Sequence, residues 1–293
     1  MFTGSCVALI TPFKNGQVDY QKITALVERQ IKNGTRVICP CGCTGQAATL
    51  SHDEQIRIIE AVVAAANGRV KVVAGTGSNS THEAIILTRR AKEAGADAAL
   101  MITPYYNKPT QDGLFKHYEA VAKEVDIPIV LYNVPGRTGV NMLPSTVARL
   151  TKIETIIAIK EASGNINQVN ELMESCSITV LSGDDPLTLP MLALGAAGVV
   201  SVTANVAPFQ VADMINTWEQ GKYKHAQEIH FRLLPLSKIL FCETNPIPVQ
   251  WIMSHLGFCE DELRSPLFSL SEQWQPKILA VLEKLRLFKQ VAA

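Results

Sequence analysis

The chain lacks most of the features that mark membrane, nucleic-acid, metal or nucleotide proteins. Nowhere in its 293 residues do about 20 apolar residues run together, the length a membrane-spanning helix needs. Neither sign of charge is in excess, with 27 Lys plus Arg against 27 Asp plus Glu, so neither nucleic acid nor an anionic membrane is expected as a partner. Residues 1–13 lack the basic start of a secretion signal, so a cytoplasmic protein is expected. The seven cysteines are odd in number and spread over a long chain, which does not fit a disulfide framework. Cys39, Cys41 and Cys43 alternate and could face one side of a strand, but no second Cys or His cluster completes a zinc site. The six histidines form no HExxH pattern. Gly75-Thr76-Gly77 lacks the third glycine of a dinucleotide fingerprint, and no Walker lysine is present. Neither a metal nor an organic cofactor is expected.

What is present is a repeated pattern. Short apolar runs recur at 6–11, 36–41, 70–74, 98–103, 127–132, 156–160, 178–182 and 198–203. They are continuously apolar rather than alternating, as parallel strands covered on both faces are. Helical patterns stand between them, at 19–32, 51–66, 80–94, 112–125 and 186–194 among others. Ser51 with Glu54, and Ser80 with Glu83, read as capping boxes. Eight strand-then-helix units predict an α/β chain closed as a (β/α)8 TIM barrel, with an open doubly wound sheet as the competing topology. After about Pro208 the strands stop. The expected division is a barrel over 1–224 and a C-terminal helical extension over 225–293.

In such a barrel the reactive groups stand at the C-terminal ends of the strands. Lys160 ends an apolar run, where burial disfavours the ammonium and leaves a neutral amine able to form a Schiff base. A lone lysine there could equally reach water or pair with Glu161. Tyr132 ends the preceding run and could shuttle protons. Arg137, in a Gly-flanked loop, could clamp a carboxylate. Each has a commoner bland reading, as a core tyrosine and a solvated arginine. The glycines around Cys43 and Thr44 could turn backbone N–H groups toward an anion, or could simply make a tight turn.

Gly42-Cys43-Thr44-Gly45-Gln46, Thr103-Pro104-Tyr105-Tyr106-Asn107, the run Tyr132-Asn133-Val134-Pro135-Gly136-Arg137-Thr138-Gly139, Ile159-Lys160-Glu161 and Ser182-Gly183-Asp184-Asp185 stand in the order of a known motif set. The chain resembles the dihydrodipicolinate synthase family from Phe2 to the C-terminal helices. The resemblance implies condensation of pyruvate with L-aspartate-4-semialdehyde to 4-hydroxytetrahydrodipicolinate, on the way to lysine and diaminopimelate. It implies that Lys160 forms the imine, that Tyr132 passes protons, and that Tyr106 reaches a neighbouring subunit's site. Thr44 would hold the pyruvate carboxylate, Val200 and Gly183 would meet the substrate, and Arg137 would take the carboxylate of the semialdehyde. A homo-oligomer, usually a dimer of dimers, follows. L-Lysine is expected as an inhibitor, on His52, Asn79, Glu83 and Tyr105, with Gln55 and Ala47 in place of the family's histidine and serine.

Two further departures stand in the glycine loop. Cys43 occupies the place of a threonine that bridges two tyrosines, which puts a weaker donor in the proton relay, where Cys43 is counted with the catalytic residues. Gln46 replaces a glutamate and removes a charge. Two competing readings are a related lyase acting on sialic acid or a keto-deoxy sugar acid, which the Arg137 clamp argues against, and a catalytically poor keto-acid or amino-acid sensor, supported only by Cys43.

Overall fold

The computed structural model describes residues 2–287. Eight strands close into one parallel barrel: β1 (Gly4–Ala8), β2 (Val37–Cys39), β3 (Lys71–Gly75), β4 (Ala98–Ile102), β5 (Ile129–Asn133), β6 (Ile156–Glu161), β7 (Thr179–Ser182) and β8 (Gly198–Ser201). Each strand pairs with the next in sequence, and β8 returns to β1 through Gly4 opposite Gly198. Closure leaves no open edge, and helices cover the outside, so the strands need apolar residues on both faces.

The pleat sorts those residues. Cys6, Val37, Cys39, Val73, Leu100, Val130, Tyr132, Leu181 and Val200 meet in a single cluster inside the barrel. Their sequence neighbours, such as Val7, Ile38, Leu131 and Ile159, pack under the helices instead. Period-two alternation therefore exists, hidden by the apolar character of both faces.

Several strands end sooner than the apolar runs do. β2 stops at Cys39 because Pro40 has no N–H for the ladder. Cys41 then adopts φ 55° and its thiol reaches the Gln55 carbonyl at 3.5 Å, on the helix side of the barrel. The three alternating cysteines consequently do not share a face: Cys39 is inside, while Cys41 is outside. A small hairpin, Phe13–Lys14 with Gln17–Val18, follows β1. Its turn is Asn15-Gly16, both at positive φ, the pairing that two-residue hairpin turns favour. It was legible in the sequence and is absent from the pattern of strands expected above.

The helix His52–Ala66 carries the full Ser51–Glu54 capping box. The second expected box is only half formed. The Ser80 hydroxyl accepts from the Glu83 N–H at 3.4 Å, but the Glu83 carboxylate turns to the Ser78 hydroxyl at 2.7 Å. After β8 the chain is helical, with Pro208–Glu219, Tyr223–Ile239, Ile247–His255 and Gln275–Lys284. No helix of the described residues is long and apolar enough to cross a membrane.

Candidate active site

Lys160 and Glu161 are adjacent in β6 and buried on opposite faces of the barrel wall. Glu161 points outward, where its carboxylate accepts from the Ser163 N–H at 2.7 Å, the Asn133 amide at 3.1 Å and the Gln168 amide at 3.2 Å. It is satisfied by neutral donors, and no lysine–glutamate pair forms. Lys160 points inward with Ala158, and it is only 5% exposed. Burial lowers its pKa, and the Arg137 guanidinium acts in the same direction, while the Cys43 and Cys39 thiols and the Asp185 carboxylate oppose them. Desolvation wins because no carboxylate of the described residues makes an ion pair with the ammonium.

Tyr132 lies beside Lys160 across the β5–β6 ladder. The Lys160 Nζ stands 4.1 Å from the centroid of the Tyr132 ring. Burial holds the phenol well above its ordinary pKa, so it stays protonated, and the neighbouring Cys43 thiol pushes it in the same direction. Cys43 is half-buried. The structure thus brings Lys160, Tyr132 and Cys43 together. Tyr106 is elsewhere: it is 88% exposed on a loop where its φ is +73°, away from its own chain's site.

Gly183, at the end of β7, faces the stem of Lys160. A methyl group added there would come within 3.0 Å of Lys160 Cγ and Cε and 2.7 Å of Ala162 Cβ. The glycine is what leaves room for the lysine to extend. Two residues on, the buried Asp185 carboxylate accepts from the Ser201 hydroxyl at 2.5 Å and from the Val202 and Thr203 N–H groups at 2.9 and 3.1 Å. It fastens the loop after β7 to the end of β8, whose Val200 is buried inside the barrel.

A cavity of about 440 Å3 opens beside these groups. Cys43, Gln46, Tyr132, Arg137 and Asn245 line it, and so do His52, Glu83 and Tyr105. Lys160, Thr44, Gly183, Val200 and Asn79 stand outside that lining. Of the four residues expected to hold lysine, three therefore share the cavity. Asn79 does not, and its carbonyl accepts from the Asn107 amide at 2.8 Å.

The sequence reading missed Asn245. It sits between the helices Tyr223–Ile239 and Ile247–His255, yet its side-chain amide donates to the Thr44 hydroxyl at 3.0 Å and its main-chain carbonyl accepts from Arg137 at 2.9 Å. No local pattern marks it, because both partners are more than 100 residues away. Gln46 is likewise buried, at φ 56°, with its side-chain Oε1 accepting from the Arg264 main-chain N–H at 3.2 Å. Its side-chain Nε2 has no partner among the described residues. Within the same residues no three His, Cys, Asp or Glu side chains stand close enough to hold a metal ion.

A buried, unpaired lysine on the inner face of a parallel barrel, with a phenol against it, defines a Schiff-base-forming class I aldolase, a lyase. The model of the Dihydrodipicolinate synthetase family matches residues 1–285. The 4-hydroxy-tetrahydrodipicolinate synthase of Pelobacter propionicus is 53% identical over 285 residues, covering 97% of this chain and 98% of that protein. The dihydrodipicolinate synthase of Acinetobacter baumannii, solved with pyruvate, superposes with a TM-score of 0.96 at 42% identity, covering 98% of this chain and 100% of that one. The DHDPS of Cyanidioschyzon merolae, solved with lysine bound, gives 0.95 at 38% identity, covering 98% of this chain and 99% of that one. The chain belongs to the dihydrodipicolinate synthetase family.

Proposed function

We propose that this chain is a 4-hydroxy-tetrahydrodipicolinate synthase, joining pyruvate to L-aspartate-4-semialdehyde through an imine on Lys160. The observation that carries the reading is Lys160 itself, inward-facing, desolvated and without a carboxylate partner among the described residues. Its neutral amine attacks the pyruvate carbonyl, and loss of water from the carbinolamine gives the imine. Removal of a methyl proton gives an enamine, whose carbon attacks the aldehyde. The amine of the second substrate then displaces Lys160 from the imine carbon, which closes the ring and frees the enzyme.

Tyr132, with Cys43 against its hydroxyl, moves the protons of imine formation. Thr44 and the backbone of its loop take the pyruvate carboxylate, with Val200 packed on the substrate and Gly183 at its edge. Arg137 takes the carboxylate of the semialdehyde. Tyr106 completes this relay in a neighbouring subunit, so the working unit is a homo-oligomer, a dimer of dimers. The exposure of Tyr106 supports that reading. L-Lysine inhibits through His52, Asn79, Glu83 and Tyr105. The barrel is assigned to 1–224 and the extension to 225–293, and the enzyme works in the cytoplasm.

The test is a coupled assay with both substrates, run beside borohydride trapping with pyruvate alone. Turnover with a trapped adduct on Lys160 is expected, and millimolar lysine should reduce it without competing with pyruvate. Turnover of a sialic acid instead, or an adduct on another lysine, would overturn the assignment.

A further inference from the structure

We propose that Asn245 is a positioning residue for pyruvate, one that aims the Thr44 hydroxyl proton into the site; the inference rests on the assignment of Thr44 to the pyruvate carboxylate. Thr44 is 3% exposed, and the one hydrogen bond its Oγ1 makes among the described residues is the one it accepts from Asn245 Nδ2 at 3.0 Å. A hydroxyl that accepts on its lone pair must send its own proton elsewhere. Among the described residues nothing takes that proton, which is therefore available to a ligand.

Asn245 is itself only 5% exposed and borders the cavity, and its Oδ1 has no partner among the described residues. Its side chain is thus committed to Thr44 alone. Its main-chain carbonyl serves a second group, accepting from Arg137 Nη2 at 2.9 Å. One residue of the C-terminal extension touches both carboxylate-binding groups, Thr44 after β2 and Arg137 after β5, by two separable bonds.

That separation makes a distinctive prediction. Replacing the side chain removes the aim of Thr44 and leaves the carbonyl that holds Arg137. Asn245→Asp is the sharpest change, because a carboxylate can only accept. It would draw the Thr44 proton to itself and away from pyruvate. The half-saturating pyruvate concentration for borohydride trapping should rise about tenfold or more, while KM for the semialdehyde changes less than about twofold. Asn245→Ala should raise the pyruvate value by a smaller factor.

The two variants are then combined with Thr44→Val. Expected is that Thr44→Val raises the pyruvate value and that adding either Asn245 change raises it no further, since residues acting through one group are not additive. If Thr44→Val leaves pyruvate binding unchanged, the assignment of Thr44 falls. If Thr44→Val weakens binding and Asn245→Asp does not, Thr44 stands, the amide is turned so that the hydroxyl donates to it, and the inference is overturned. Full additivity, or equal effects on both substrates, overturns it as well. Should the alanine variant fail to fold, the aspartate variant carries the same cycle.

Discussion

The Lys160 Nζ lies 4.1 Å from the centroid of the Tyr132 ring, with the two residues opposite each other on neighbouring strands. The aromatic face stabilises a cation there only weakly against the loss of water, so the amine remains easy to deprotonate. Borohydride with pyruvate should leave one reduced adduct, at Lys160, located by peptide mapping. Lys160→Ala and Lys160→Arg should both lose nearly all turnover, the second because a guanidinium stays protonated. Adduct formation should rise with pH through the lowered pKa and level off above it, with its limb below the ordinary lysine value of 10.5. A limb at the ordinary value would mean that the amine is solvated.

Arg137→Ala should raise KM for the semialdehyde more than KM for pyruvate. A charge-assisted hydrogen bond is worth about 1.5–3 kcal/mol, or roughly ten- to a hundredfold in kcat/KM. Equal effects on the two substrates would show that the arginine acts mainly by holding the Asn245 carbonyl.

Cys43 should be the thiol that small alkylating reagents reach at the site. Cys6 and Cys39 also lie near Lys160, but both are fully buried and burial raises their pKa values, which leaves them inert. Modification of Cys43 should abolish turnover, and bound pyruvate should slow it. Cys43→Thr should keep or raise kcat, and Cys43→Ala should lower it. Alkylation that leaves activity intact would make this a packing thiol.

Gly183→Ala should lower kcat with little loss of fold. The added methyl meets the Lys160 stem at 3.0 Å and Ala162 at 2.7 Å, so the lysine must shift. Overpacking of this kind costs about 1–3 kcal/mol, while a displaced nucleophile slows chemistry directly. The rate of adduct trapping measures the second effect and thermal unfolding the first. Unchanged trapping would show that Lys160 has room to spare.

His117 should make stability fall with acid. Its Nδ1 lies 2.9 Å from the Thr81 hydroxyl, its Nε2 is buried without a partner among the described residues, and burial pushes its pKa down to about 4 from 6.5. The folded chain therefore binds fewer protons than the unfolded chain between those values, so stability is lost as pH falls from 6.5 toward 4. The loss is on the order of 3 kcal/mol. Urea unfolding at pH 7 and pH 5 should show about 2 kcal/mol of it, and His117→Gln should flatten the difference. An equal slope in the variant would place the acid sensitivity elsewhere.

The sequence by itself determined the barrel, because eight continuously apolar runs divided by amphipathic helices have few other ways to bury both strand faces. It also singled out Lys160 as a lysine ending an apolar run, and it marked Tyr132, Arg137 and the glycine loop by motif. Only the tertiary structure decided which way those residues face. Lys160 and Glu161 differ by one position, and the pleat sends one to the barrel interior and the other to a cage of amides. The fates of Cys39 and Cys41 were decided the same way, by a proline that ends the ladder between them. Asn245 lay beyond any local reading, because its bonds to Thr44 and Arg137 span 201 and 108 residues and exist only once the chain after β8 packs against the loops after β2 and β5. Periodicity records what a residue's own element needs; it carries no record of contacts that closure of the chain creates.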